Sequence, residues 1–252
     1  MFLGARVAVV VPAYREERLL PKTLRTMPAF VDRVIVVDDA SPDGTSRVAA
    51  EWGDSRVELA RHLENRGVGA AIATGYGRAL ADGADVVAVM AGDAQMDPVD
   101  LPGVLGPVIA GRADYVKGNR FVHPASRDMP ALRRLGSATL SALTRAATGL
   151  TVDDTQCGYT AIGRAALARL DLASLWPRFG YPNDLLGLLA QNALRVTEVP
   201  VRPVYGDEAS GLRPWHVASI AGVVLRRAAL GRLAPPPLLP DTCAGCQAAS
   251  DA

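Results

Sequence analysis

The sequence predicts a single α/β domain with a mostly parallel central sheet and helices flanking both faces. Three observations carry that expectation. Short β-branched runs alternate with segments of helical period through the first half of the chain. Polar, Gly-containing and acidic clusters follow the ends of those runs, where open parallel sheets hold their ligands. The length, 252 residues, suits one large domain.

In chain order, residues 6–11 read as a strand, and 16–27 carry Leu19, Leu20, Leu24 and Met27 on one helical face. Residues 34–37 are a second strand, broken by Asp38-Asp39-Ala40-Ser41-Pro42-Asp43-Gly44. Thr45 suits an N-cap for a helix towards Trp52. Residues 57–59 predict a short strand, 69–81 an Ala-rich helix and 86–90 a buried strand. A helix over 96–104 follows, with Asp97 as its N-cap and Pro98 at its first position. The second half is less regular. Residues 131–148 predict a long helix carrying Arg133, Arg134 and Arg145. Strands are expected at 159–162 and 195–199, a short helix at 183–192, and a basic amphipathic helix at 216–233. From 234 onward the Pro-, Ala- and small-residue composition predicts a disordered tail.

Composition narrows the function. With 27 basic and 26 acidic residues the net charge is +1, which argues against a nucleic-acid partner. The hydrophobic fraction of 49% is at the upper edge for a soluble domain. Ala and Val content is one cause; a surface lying on a membrane is the other. No run of roughly eighteen apolar residues exists; the nearest, 217–225, stops at Arg226 and Arg227. The start, Met1-Phe2-Leu3-Gly4-Ala5-Arg6, shows no cleavage-site pattern. The expected location is the cytoplasm, with 216–233 as a candidate for peripheral contact on the cytoplasmic face of a membrane. Cys157, Cys243 and Cys246 are expected to stay reduced, and Cys243-Ala244-Gly245-Cys246 alone is a weak zinc signal.

Four clusters can carry chemistry. Asp93 and Gln95 follow a buried strand, and two oxygen ligands so placed can chelate Mg²⁺ or Mn²⁺; the alternative is a capping Asp. Asp38 and Asp39 can accept hydrogen bonds from a nucleobase or ribose, or else form an Asx-turn. After Pro12, Tyr14 offers a ring to a base and Glu16 an acceptor to a hydroxyl; a Pro turn with an acidic first helical turn is the plain alternative. Asn65-Arg66-Gly67-Val68-Gly69 opens a helix whose amides can approach a phosphate or ribose. Ile72 stands where a dinucleotide fingerprint needs Gly, which excludes that motif.

Taken in order, these clusters resemble the donor half of glycosyltransferase family 2, in the branch of dolichyl- or polyprenyl-phosphate mannose and glucose synthases. The matched series continues with Lys117-Gly118-Asn119-Arg120-Phe121 and Asp154-Thr155-Gln156-Cys157-Gly158-Tyr159. The resemblance implies the GT-A, nucleotide-diphospho-sugar transferase fold over 1–215, and an inverting transfer. It implies that Pro12, Tyr14, Glu16, Asp38, Asp39, Arg66 and Gly69 hold the nucleotide, and that Asp93 and Gln95 hold the metal. It places Arg120, and Arg133 or Arg134, on a phosphate, Asp154 at the sugar pocket, and Arg213 in an acceptor loop hinged at Gly206 and Gly211.

Two departures matter. Ala91 stands where family members often carry the first Asp of a D-x-D motif, so one carboxylate is missing. Asp184 falls near a catalytic Asp of many members and is a base candidate for a hydroxyl acceptor; a lipid phosphate is already anionic and needs none. Asn183-Asp184 also suits a helix cap. The expected reaction moves a hexose from a UDP- or GDP-sugar to a polyprenyl phosphate. The alternatives are a soluble hydroxyl acceptor, a nucleotidyltransferase (which the lack of a basic, Gly-rich loop after the first strand disfavours), and a degenerate nucleotide-sugar-binding module.

Overall fold

A computed structural model describes residues 1–128, 131–204 and 214–233. The strands among them form one seven-stranded sheet: β1 (Val7–Ala13), β2 (Arg33–Asp38), β3 (Val57–Arg61), β4 (Val86–Val89), β5 (Tyr115–Asn119), β6 (Thr160–Gly163) and β7 (Val196–Pro200). The helices are α1 (Leu20–Arg25), α2 (Thr45–Ala50), α3 (Val68–Ala81), α4 (Leu101–Ile109), α5 (Ala131–Thr148), α6 (Arg164–Leu167), α7 (Tyr181–Gln191) and α8 (Pro214–Leu233).

The strand order is β3-β2-β1-β4-β6-β5-β7, and only β6 opposes its neighbours β4 and β5. β1 pairs with β2 on one side and β4 on the other, all parallel. Connections therefore leave β1 in opposite directions across the sheet, which opens a crevice beyond the strand ends. All seven residues of β1 are buried, as expected for a parallel strand covered on both faces. Its side chains alternate between two cores. Ala8 and Val10 join Ile35, Val37, Ile72 and Leu185 under α3 and α7, while Val9 and Val11 join Val36, Leu20 and Val104 under α1 and α4. α3 lies close on β1, because a Cβ at Gly75 would fall 2.2 Å from Val10 Cγ1.

Several predicted elements differ from the structure. β5 was not expected, since Lys117, Gly118 and Asn119 are poor strand formers. It forms because the Lys117 ammonium finds a buried acceptor, donating to the Cys157 carbonyl at 2.6 Å. Gly118 is held in this strand by crowding, with Val201 Cγ2 2.7 Å from where a Cβ would stand. Thr45 is not the N-cap of α2, a position held by Gly44. Its hydroxyl donates to Asp43 at 2.6 Å and accepts the Glu16 N–H at 2.9 Å. Helix α7 begins earlier than expected, with left-handed Gly180 before it, so Asp184 lies inside the first turn and does not cap it. The Asp97 cap holds: its carboxylate accepts the Val99 N–H at 3.0 Å, at the head of a short 3-10 turn that leads into α4.

Helix α8 packs on the domain, with Ile220, Val223 and Val224 buried and Leu225 and Leu230 exposed. Most of the apolar face that the sequence offered to lipid is thus already covered by protein. Among the described residues, no helix is long and apolar enough to cross a membrane. The predicted acceptor loop with Gly206, Gly211 and Arg213, the tail from 234, Cys243 and Cys246 lie outside the described residues, as does the Arg133 side chain.

Candidate active site

The ends of β1, β2 and β4 are tied together by backbone. The Gly92 N–H donates to the Pro12 carbonyl at 3.1 Å, and the Asp39 N–H to the Ala13 carbonyl at 3.0 Å. Two residues past β1 and β2, and five past β4, stands a non-Gly residue with left-handed backbone: Arg15 (φ 61°), Ala40 (φ 58°) and Ala94 (φ 56°). Each such residue costs on the order of 1 kcal/mol or more, and strain of this kind collects at functional sites. Three coincident turns at one crevice mark it independently of side-chain chemistry.

Asp38 and Asp39 are nearly sealed, at 0% and 3% exposure. Asp38 accepts the Ser41 N–H at 3.0 Å and the Ser46 hydroxyl, which holds the turn after β2. Asp39 accepts the N–H groups of Arg66 and Gly67 at 2.9 and 2.7 Å, and so binds the start of α3 to the end of β2. His62, at the end of β3, lies 2.7 Å from the same carboxylate. Sequence reasoning missed His62; a lone histidine after a short strand gave no signal. Tyr14 stands out from the β1 end with 42% exposure, and the Arg15 guanidinium lies 5.4 Å from its ring centre. Pro12, in β1, is buried.

The Asp93 to Gln95 turn is an Asx-turn: Asp93 Oδ1 accepts the Gln95 N–H at 3.0 Å across left-handed Ala94. Asp93 does not cap the following helix, whose cap is Asp97. No cluster of three His, Cys, Asp or Glu side chains able to hold a metal exists among the described residues. Asp93 and Gln95 offer one carboxylate and one amide oxygen. That fits a hard cation that takes its other ligands from a diphosphate and water, the usual mode for Mg²⁺.

Arg120 and Asp154, treated separately in the sequence, form one ion pair. Arg120 Nε and Nη2 donate to the two Asp154 oxygens at 2.7 and 2.9 Å, and the Arg120 N–H adds a third bond at 3.0 Å. Asp154 is fully buried and the Arg120 side chain is 21% exposed. Burial raises the Asp154 pKa, but the Arg120 guanidinium outweighs it and holds the carboxyl below the usual range. Glu198 on β7 accepts the N–H groups of Asp153 and Asp154 at 2.9 and 2.8 Å, fixing the loop from behind. Burial lowers the pKa of Lys117 beside this pair. Glu198 was not singled out by the sequence, and Lys117 entered there only within the matched run 117–121, with no role of its own.

Asp184 is also fully buried. Its oxygens accept from Arg227 Nε and Nη2, both at 2.7 Å, and from the Trp176 N–H at 2.8 Å. Its neighbour Asn183 bridges Thr144 on α5 (2.7 Å) and Gln156 (2.8 Å). Arg134 is exposed on α5, Arg66 is exposed at the start of α3, and Gly69 is buried against the Trp176 carbonyl.

The sequence matches the description "Glycosyl transferase family 2" over residues 8–170. It is 33% identical over 207 residues to an undecaprenyl-phosphate mannosyltransferase of Micrococcus luteus, covering 78% of this chain and 82% of that protein. It is 29% identical over 217 residues to a UDP-N-acetylglucosamine–dolichyl-phosphate N-acetylglucosaminyltransferase of Methanococcus voltae, covering 80% and 86%. The fold is similar to that of glucosyl-3-phosphoglycerate synthase from Mycobacterium tuberculosis, solved with Mn²⁺, UDP and glucosyl-3-phosphoglycerate. That match has a TM-score of 0.67 and 23% identity, over 90% of this chain and 81% of the other. The architecture is the GT-A fold, and the protein is a glycosyltransferase. The chain belongs to glycosyl transferase family 2.

Proposed function

We propose that the enzyme transfers one hexosyl unit from a UDP- or GDP-sugar to a polyprenyl phosphate, with inversion at the anomeric carbon and Mg²⁺ or Mn²⁺ as cofactor. One observation carries the choice of acceptor. Asp184, the carboxylate that a hydroxyl acceptor would need as its base, has its oxygens engaged by Arg227 and the Trp176 amide and is fully buried. A phosphate monoester has its second pKa near 6, so it is already a nucleophilic dianion near neutral pH and needs no base. The lipid-phosphate relatives from Micrococcus and Methanococcus support the same class.

The crevice residues divide the work. Tyr14 offers an exposed ring to the base, and Pro12 and Glu16 act with it at the end of β1. Asp38 and Asp39 shape the ribose end and hold the amides of Arg66 and Gly67 in place, with Gly69 opening the helix behind them. Asp93 and Gln95 would hold the cation, which neutralises the diphosphate as it leaves. Arg120, buttressed by Asp154, directs its guanidinium at phosphate oxygens, with Arg133 or Arg134 from α5 and Arg213 assisting. A phosphate oxygen of the lipid bonds to the anomeric carbon as the bond to the diphosphate breaks, releasing nucleoside diphosphate. Peripheral contact with the membrane falls to the outer face of α8, where Leu225 and Leu230 are exposed.

The test is a panel of radiolabelled UDP- and GDP-hexoses with a polyprenyl phosphate, with and without Mn²⁺. Label in the organic phase, dependent on the metal, is the expected result. Label transferred only to soluble hydroxyl acceptors would overturn the reading.

A further inference from the structure

Helix α8 reaches the donor crevice through a short relay. Arg227 is 6% exposed and its fork closes on Asp184. Its Nη2 also donates to the Ser174 carbonyl at 2.8 Å. Asp184 in turn accepts the Trp176 N–H at 2.8 Å. The next carbonyl, that of Pro177, accepts the N–H groups of Gly69 and Ala70 at 2.8 and 3.2 Å, in the first turn of α3. Two and three residues before Gly69, Gly67 and Arg66 donate to Asp39.

The contact between the two segments is tight. A Cβ on Gly67 would lie 2.4 Å from the Pro177 oxygen, and one on Gly69 2.2 Å from the Trp176 oxygen. A Cβ on Gly187 would fall 2.3 Å from Arg227 Cγ, so that glycine on α7 admits the arginine stem. A second arginine of α8, Arg226, places its guanidinium 5.7 Å from the Trp176 ring centre. The segment 174–177 is thus gripped by α8 on one side and bears on the donor loop on the other.

We infer that Arg227 is a positioning residue for the donor site: through Asp184 and the segment 174–177 it sets the place of the Arg66–Gly69 loop against Asp39. This rests on the crevice being the nucleotide site. Stability alone does not require an ion pair here, because a buried pair replaced by apolar residues of similar volume is often as stable or more so. The pair supplies what an apolar pair lacks, a fixed acceptor for the Trp176 amide.

The experiment compares wild type, Arg227→Lys and the double variant Arg227→Met with Asp184→Leu. Each is read by thermal melting, by titration with UDP and GDP, and by amide hydrogen exchange at residues 66–70. The double variant is expected to fold with a somewhat lower melting temperature, because the Trp176 N–H loses its acceptor, and to bind nucleoside diphosphate about tenfold more weakly, within the usual range of coupling between sites, with faster exchange at Gly69 and Ala70. Arg227→Lys, which keeps the charge but not the fork, is expected to show a smaller loss in the same direction. Unchanged affinity and exchange in a folded double variant would overturn the inference. If the double variant does not fold, unchanged affinity and exchange in Arg227→Lys would do so. Wild type that binds neither UDP nor GDP would instead refute the donor-site reading, while the exchange data would still report whether Arg227 holds the loop.

Discussion

Asp39 Oδ1 and His62 Nδ1 lie 2.7 Å apart, joining the ends of β2 and β3 at the crevice. The ring's other nitrogen lies 2.9 Å from the Thr74 hydroxyl on α3. Nδ1 faces the carboxylate and Nε2 faces the Thr74 hydroxyl. Both nitrogens are therefore used, and the imidazole is locked between the sheet and the helix that opens the site.

His62→Ala removes one of three partners from a buried carboxylate. The expected outcome is a loss of about 1–3 kcal/mol of stability and a raised KM for the nucleotide-sugar at nearly constant kcat, as for lost uniform binding. Steady-state kinetics below the melting range checks this. A KM equal to that of wild type would remove His62 from the account of the site.

Asp93→Ala is expected to abolish transfer and leave the circular dichroism spectrum unchanged, because its bond to the Gln95 N–H holds a turn that lies outside the strands and helices. Full activity of the variant in metal-free buffer would sink the metal role. Ala91→Asp restores the carboxylate that family members often carry at this position. It is expected to lower the Mn²⁺ concentration needed for half-maximal rate, and an unchanged metal titration would count against Ala91 as the weak point of the site.

Arg120→Gln leaves the Asp154 carboxylate buried without its cation, at a cost of about 3 kcal/mol at pH 7. The pH dependence has a definite sign. In wild type the folded pKa lies below 3.8, so the contribution is fully present above the unfolded value and is lost as pH falls through the folded one. In the variant only the backbone N–H of residue 120 and Lys117 still oppose burial, so the folded pKa rises above its wild-type position and less of that stability is gained as pH rises. Urea midpoints at pH 4 and pH 7 should show the gap between the two proteins narrowing at pH 4. A constant gap would show that Asp154 is not the group responsible.

Gly69→Ala drives a methyl group towards the Trp176 carbonyl, which is backbone and cannot rotate away. Overpacking of this kind typically costs about 1–3 kcal/mol. The expected result is a lower melting temperature together with weaker UDP or GDP binding, because the loop that must move carries the Asp39 contacts. Normal nucleotide affinity in the variant would show that the loop tolerates the shift.

What the sequence determined by itself was local and periodic. The apolar runs that became β1, β2 and β4 are legible because strands buried on both faces are apolar along their whole length. The acidic and glycine clusters are legible because they interrupt those runs, and their order identified the family resemblance. The 131–148 helix is read in full from its period. Tertiary structure alone decided the rest. β6 runs against β4 and β5, and β5 itself depends on a carbonyl that receives the Lys117 ammonium. His62 reaches Asp39 across 23 positions, Asp154 reaches Arg120 across 34, and Arg227 reaches Asp184 across 43. No periodicity links such pairs, because a hydrogen bond between distant segments depends on where the sheet and helices bring them. For the same reason Asp184, a base candidate or cap in the sequence, is found in the structure as the buried partner of an arginine on the last helix.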